Sequence, residues 1–169
     1  IMFKSFLGVV IVGLFALTSS SWANVSKRGT SLASFSSVPR PAIDNVVDRA
    51  YELLGKPYKL GGASVDQGFD CSGLLVYLFK TKANIVIPRT TSAMHRSTAA
   101  TIKRDALQPG DAVFFRGNGS GQVGHVGLYI GEGKFIHSPR PGKSIRIDSL
   151  ANTYWKKNYT TAKRFYAVR

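Results

Sequence analysis

The sequence predicts an α+β fold, with N-terminal helices packed on a C-terminal antiparallel β-sheet. Three observations carry this. Apolar residues in the first half recur at helical spacing or fill unbroken runs. Beyond about residue 100 the texture changes to short segments rich in β-branched and aromatic residues, separated by Gly, Pro and Asn. Helical and strand patterns are segregated along the chain and do not alternate, which excludes the usual parallel α/β arrangement.

The chain has 169 residues, the size of one domain. Residues 1–23 have the layout of a secretory signal peptide: one cation at Lys4, an apolar run from Phe6 to Leu17, a Ser stretch, and small residues Ser21 and Ala23 before the cut. The apolar run is shorter than the roughly 20 residues of a membrane-spanning helix. No cysteine stands near the predicted cut, so no lipid anchor is expected, and export to the periplasm or cell envelope is. Residues 24–41, NVSKRGTSLASFSSVPRP, are Ser-rich with two prolines and read as a flexible linker. The folded domain is expected over residues 42–169.

Within it, AIDNVVDRAYELL (42–54) sets Ile43, Val46, Val47, Ala50, Leu53 and Leu54 on one helical face, and Gly55 then Pro57 ends the helix. GKPYKLGG is a turn with a short extended piece. CSGLLVYLFK is apolar nearly all round and predicts a buried second helix. IVIPRTT is extended up to Pro88, and residues 91–100 predict a third, more polar helix. LQPGDAVFFR, VGHVGLYIG, GKFIHSP and SIRID then read as antiparallel strands joined by turns.

Lys and Arg outnumber Asp and Glu by 23 to 9, a net charge of +14. An exported protein this basic favours polyanions such as wall polymers or lipid headgroups. Nucleic acid suits the charge but not the compartment, and a monomer is expected.

Cys71, in GFDCSG, is the only cysteine. An unpaired thiol in an oxidising compartment is either buried or used. If a helix starts there, Asp70 occupies the cap and accepts from free first-turn amides. The thiol then lies at the positive end of the helix, which favours the thiolate. Gly73 leaves room for a close approach. From GFDCSG alone, a nucleophile and a small buried hydrophobe both remain open.

A nucleophilic thiol needs a base and a group that orients the base. His125 and His137 lie on successive strands with the turn GEG between them, so pairing can bring them side by side. His95, in SAMHRS, reads as a surface residue. Cys71 and the two histidines could also hold zinc, but no C-x-x-C or H-E-x-x-H spacing accompanies them. No serine sits in a G-x-S-x-G elbow.

PYKLGG, GFDCSGLLVYLF, IPRTT, LQPGDAVFF, GHVGLYIG and GKFIHSP occur in this order, and together they closely resemble the NlpC family of bacterial cell-wall cysteine peptidases. The resemblance runs from about residue 43 to the C-terminus, and TYWKKNYTTAKRF resembles the end of the single-domain Spr-like murein endopeptidases. It implies a papain-like α+β fold with Cys71 as nucleophile, His125 as base and His137 as the orienting residue. It also implies Tyr58 as an oxyanion or substrate contact, and Asp70 and Ser72 at the substrate cleft. The implied substrate is peptidoglycan, cut at D-Ala–diaminopimelate or γ-D-Glu–diaminopimelate, with no cofactor or metal. The alternatives are an amidase or acyltransferase with the same Cys-His-His set, and a non-catalytic basic wall- or membrane-binding module. The set Cys71, His125, His137 and Tyr58 speaks against the latter.

Overall fold

Two prolines open the first helix and do not break it. α1 runs Arg40–Glu52, two residues earlier than the sequence pattern suggests, because proline is tolerated in a first turn where its missing N–H has no partner to lose. Leu53 and Leu54 form a tight closing turn, bonding back to Ala50 and Tyr51, before Gly55 at φ +85° releases the chain. This is a computed structural model, and it describes residues 37–117 and 121–168. The predicted signal peptide and linker residues 24–36 lie outside the described residues. The last residues of that Ser-rich stretch are structured: Ser37–Val38 is strand β1, paired in parallel with the C-terminal β10 (Ala167–Val168). No described helix is long and apolar enough to cross a membrane.

A small antiparallel pair, β2 (Ala63–Ser64) and β3 (Gly68–Phe69), leads into α2, Cys71–Ala83. Asp70 caps α2 by accepting from the Gly73 amide, and Asn84 closes it in a left-handed conformation. α3 is shorter than the expected 91–100: it runs Thr91–Arg96, Ser97 turns extended, and Ala100 joins Thr101 and Ile102 in β4, which pairs with β9 (Tyr159–Arg164). β5 (Ala112–Arg116), β6 (Val123–Gly131), β7 (Lys134–His137) and β8 (Arg146–Ser149) fall where the sequence places strands, and α4, Thr153–Asn158, follows β8. The sheet order is β4-β9-β5-β6-β7-β8, antiparallel throughout.

The sheet is apolar on both faces. One face sends Ala112, Phe114, Val126, Leu128 and Ile136 into the main core with Val46 and Ala50 of α1 and Leu74, Leu75 and Leu78 of α2. The other carries Val113, Phe115, Tyr129, Phe135 and Ala162, covered by Trp155 of α4. Alternate residues of each strand therefore serve different layers. A buried ion pair, Arg164 with Asp111, ties β9 to the turn before β5 through bonds of 2.7 and 2.8 Å.

Candidate active site

The cysteine is held by the start of α2. Asp70 is buried, and its carboxylate accepts from the amides of Gly73 (2.6 Å) and Gly61 (3.0 Å) and from the Ser72 hydroxyl (3.2 Å). Arg89 closes the network with bonds to both Asp70 oxygens and to Ser72, at 2.8 to 3.1 Å. The bidentate contact holds the Asp70 carboxyl below its ordinary value against a burial effect that acts the other way. Asp70 and Ser72, which the resemblance sets at the substrate cleft, are buried on either side of Cys71 and bonded into a framework that positions the thiol. The helix start also needs its glycine. A Cβ at Gly73 would lie 2.0 Å from the Gly62 carbonyl oxygen, so only glycine lets the two backbones meet.

Cys71 is partly exposed, with Sγ 3.4 Å from the Thr91 hydroxyl. Burial pushes its thiol up, and the Asp70 charge adds to this. Hydrogen bonds from Thr91 and the amides of Val126 and Ser72 oppose it without prevailing. The expected lowering by the helix terminus is therefore overruled by desolvation, and the resting group is a thiol. Tyr58 is half-buried on the segment that bridges to Phe69, two residues before the cysteine. Its phenol is raised first by burial, and also by the Asp70 carboxylate and by a Cys71 thiolate whenever one forms.

The thiol meets the amide of Val126, the residue after His125. His125 and His137 are brought together as the hairpin predicts: His125 Nε2 lies 2.8 Å from His137 Nδ1. Gly127 between them on β6 keeps that face clear, since a Cβ there would lie 2.6 Å from the Phe135 ring and 3.3 Å from the His137 Cβ. His137 is fully buried, and its Nε2 lies 2.9 Å from Asp148 Oδ2. The same oxygen accepts from Arg146 and, at 3.0 Å, from Trp155 Nε1. Burial pushes the Asp148 carboxyl up, but His137 and then Arg146 outweigh it and hold it at about 2. The Trp155 ring stacks on His125 with centroids 5.5 Å apart.

This chain of bonds assigns the protons. An ionised carboxylate only accepts, so His137 carries its hydrogen on Nε2. Burial lowers the pKa of His137 and leaves it neutral, so its Nδ1 is bare and accepts from Nε2–H of His125. His125 is likewise neutral, lowered to about 3 chiefly by burial. Its remaining nitrogen, Nδ1, is therefore an unprotonated base. Asp148 thus sets the tautomer of a base two residues away in the relay.

Sequence reasoning assigned no role to Asp148, Trp155, Arg89 or Thr91. Arg89 and Thr91 lie in IPRTT, quoted for the resemblance alone. Asp148 reaches His137 only through the β7–β8 register, in which Phe135 faces Asp148 and His137 faces Arg146. His95 is not the surface residue expected: it is half-buried, edge-on to Phe114 with centroids 5.6 Å apart. Among the described residues no cluster of His, Cys, Asp and Glu is arranged to hold a metal ion.

An α+β domain with a cysteine at a helix start and a histidine pair on the adjoining sheet is papain-like. The chain matches the NlpC/P60 family over residues 55–164 and belongs to that family. It is 49% identical over 119 residues to murein DD-endopeptidase MepH of Escherichia coli, covering 70% of this chain and 44% of that protein. It is 40% identical over 119 residues to the probable endopeptidase YafL of E. coli, covering 70% and 48%. The chain spans less than half the length of these curated relatives. A crystal structure of an NlpC/P60 family protein from Bacillus cereus aligns with a TM-score of 0.69 at 37% identity, over 76% of this chain and 41% of that one.

Proposed function

We propose that this protein is a cysteine endopeptidase that hydrolyses peptide bonds in peptidoglycan, with Cys71 as nucleophile and His125 as general base. The observation that carries the reading is the unbroken relay from Asp148 through His137 to His125 beside a thiol at a helix start. A wall- or membrane-binding module has no use for a bare imidazole nitrogen fixed in this way. The relatives' names, murein DD-endopeptidase among them, supply the substrate class. Residues 1–23 support export to the cell envelope, where that substrate lies.

The Cys71 Sγ–H proton passes to His125 Nδ1 as sulfur bonds to the scissile carbonyl carbon. The oxyanion accepts from the backbone N–H of Cys71, a first-turn amide of α2, with Tyr58 beside it. Collapse breaks the C–N bond, and His125 gives its proton to the leaving amine. Water, deprotonated by His125, then attacks the thioester and releases a carboxylic acid and the thiol. His137 and Asp148 are positioning residues: they hold the ring and stabilise the imidazolium that forms transiently.

The test is mass spectrometry of muropeptides after incubation of the purified protein with diaminopimelate-type peptidoglycan, beside Cys71→Ala. Conversion of cross-linked dimers to monomers only with the intact thiol identifies a cross-link endopeptidase. Shortened stems place the cut at the γ-D-Glu bond. An unchanged wall in both samples, or equal cutting by both, overturns the proposal.

A further inference from the structure

The antiparallel sheet gathers positive charge beside the base. β5 ends, β6 begins, β7 ends and β8 begins at one edge, which brings together Arg116, His125 and Arg146, with Arg140 just after β7. A cavity of about 440 Å³ opens there, lined by these four residues with Asp148 and Trp155 among its walls. Cys71, Thr91 and Tyr58 do not line it, so it lies on the base's side of the thiol. The Asp148 charge is answered by Arg146, which donates to it twice. Arg116 and Arg140 are exposed, and neither has an ion-pair partner among the described residues. The pocket therefore presents two uncompensated guanidinium groups beside a tryptophan stacked on the base.

The direction of catalysis says which half of a substrate meets them. The base that takes the thiol proton must deliver it to the leaving amine, so the leaving half lies against His125. A guanidinium matches a carboxylate in shape and charge. We propose that Arg116 and Arg140 form a carboxylate-binding subsite for the leaving-group half of the substrate. The inference rests on the peptidase reading above and sharpens it. In a D-Ala–diaminopimelate cross-link, the carbon that bears the leaving amine also bears a free carboxylate. In a γ-D-Glu–diaminopimelate bond of an extended stem, the corresponding carboxyl is consumed in the next amide. A carboxylate subsite next to the base selects the cross-link.

The experiment uses the purified full chain and two cross-linked muropeptide dimers, identical except that the diaminopimelate centre bearing the leaving amine carries a carboxylate in one and a carboxamide in the other. The carboxylate dimer is expected to be cut with kcat/KM about 10–100-fold higher, the worth of charge-assisted hydrogen bonds. In the Arg116→Met/Arg140→Met protein that ratio falls toward one. Lys134→Met, which removes a charge at the opposite end of β7, keeps it. Equal rates on the two dimers, or a ratio that survives the double replacement, overturns the subsite while leaving the peptidase reading in place. Binding of the two diaminopimelate monomers to Cys71→Ala is measured alongside and needs no turnover. A carboxylate preference that disappears with the arginines supports the subsite even if neither dimer is cut, in which case the peptidase reading alone fails. Equal binding of the two monomers, or none, overturns the subsite.

Discussion

The proposed nucleophile, Cys71, and the proposed base, His125, are held by contrasting means. The start of α2 is fixed by neighbours close in sequence: Asp70 caps it, Gly73 lets it press on Gly62, and Arg89 arrives 19 residues on. The base is fixed by distant strands: His125 by His137, His137 by Asp148, and Asp148 by Arg146 and Trp155. The first arrangement sets position through backbone contact and one ion pair. The second sets protonation, because each imidazole can accept on one nitrogen only if the next group fixes its hydrogen. Errors in the first should displace the thiol and loosen the fold; errors in the second should leave the fold and impair the chemistry.

The largest effect is expected where the two halves meet. Cys71→Ala should lower peptidoglycan cleavage by at least about 10⁴-fold with little change in thermal stability, since a small group replaces a partly exposed thiol. Retention of cleavage would remove the nucleophile from the account. Asp148→Asn comes next, at about 10²–10⁴-fold in kcat, because a neutral amide can donate as well as accept and no longer dictates the His137 tautomer. The discriminating readout is nitrogen-15 NMR of the imidazoles. The unsubstituted protein should carry its His125 hydrogen on Nε2, and the variant should show mixed tautomers. A variant that loses activity with unchanged tautomers would give Asp148 a merely structural role.

On the other side, Gly73→Ala drives a methyl into the Gly62 carbonyl and should cost about 1–3 kcal/mol, read as a lower urea midpoint together with lower activity. Arg89→Met removes a partly exposed partner of buried Asp70 and should cost about 1–2 kcal/mol after screening is allowed for. Arg164→Met should lower stability comparably but spare kcat, since the Asp111–Arg164 pair lies away from the thiol. If Arg89→Met spared kcat as well, the network under Cys71 would lose its positioning role.

The last expected effect is on acid stability, and it belongs to the base side. His125 has a folded-state pKa of about 3 against an ordinary 6.5, so the unfolded chain takes up the proton first as pH falls. The stability gained by keeping His125 neutral is fully present above 6.5 and is lost as pH falls from there toward 3. Asp148, held at about 2 against 3.8, gives a second contribution that is lost as pH falls through that lower window. Urea midpoints should therefore decline between pH 7 and pH 5, roughly the upper half of the His125 window, and His125→Gln should flatten the decline. An identical slope in the variant would contradict the burial of a neutral imidazole.

The strand pattern and the Cys71 helix were legible because they depend on spacing along the chain. α2 follows from an unbroken apolar run behind an Asp cap, and β5 to β8 from β-branched and aromatic runs between turns. The His125–His137 contact was legible too, since one hairpin joins them. β4 and β9 were not. Ala100 reads locally as the end of a helix, and it joins Thr101 and Ile102 in a strand only because a segment some sixty residues later pairs with them. Likewise the start of α1 at Arg40 depends on prolines that spacing alone treats as linker.

The sequence by itself determined the class of fold through local pattern, and it brought Cys71, His125 and His137 forward as candidates through motif order and the family resemblance. Tertiary structure decided the rest of the site. It placed Asp148 behind His137 and Trp155 over His125, tied Asp70 to Arg89 beside the thiol, and gathered Arg116 and Arg140 at one end of the strands. It also reversed the expected thiolate, because desolvation depends on what packs around a group, and no spacing along the chain encodes that.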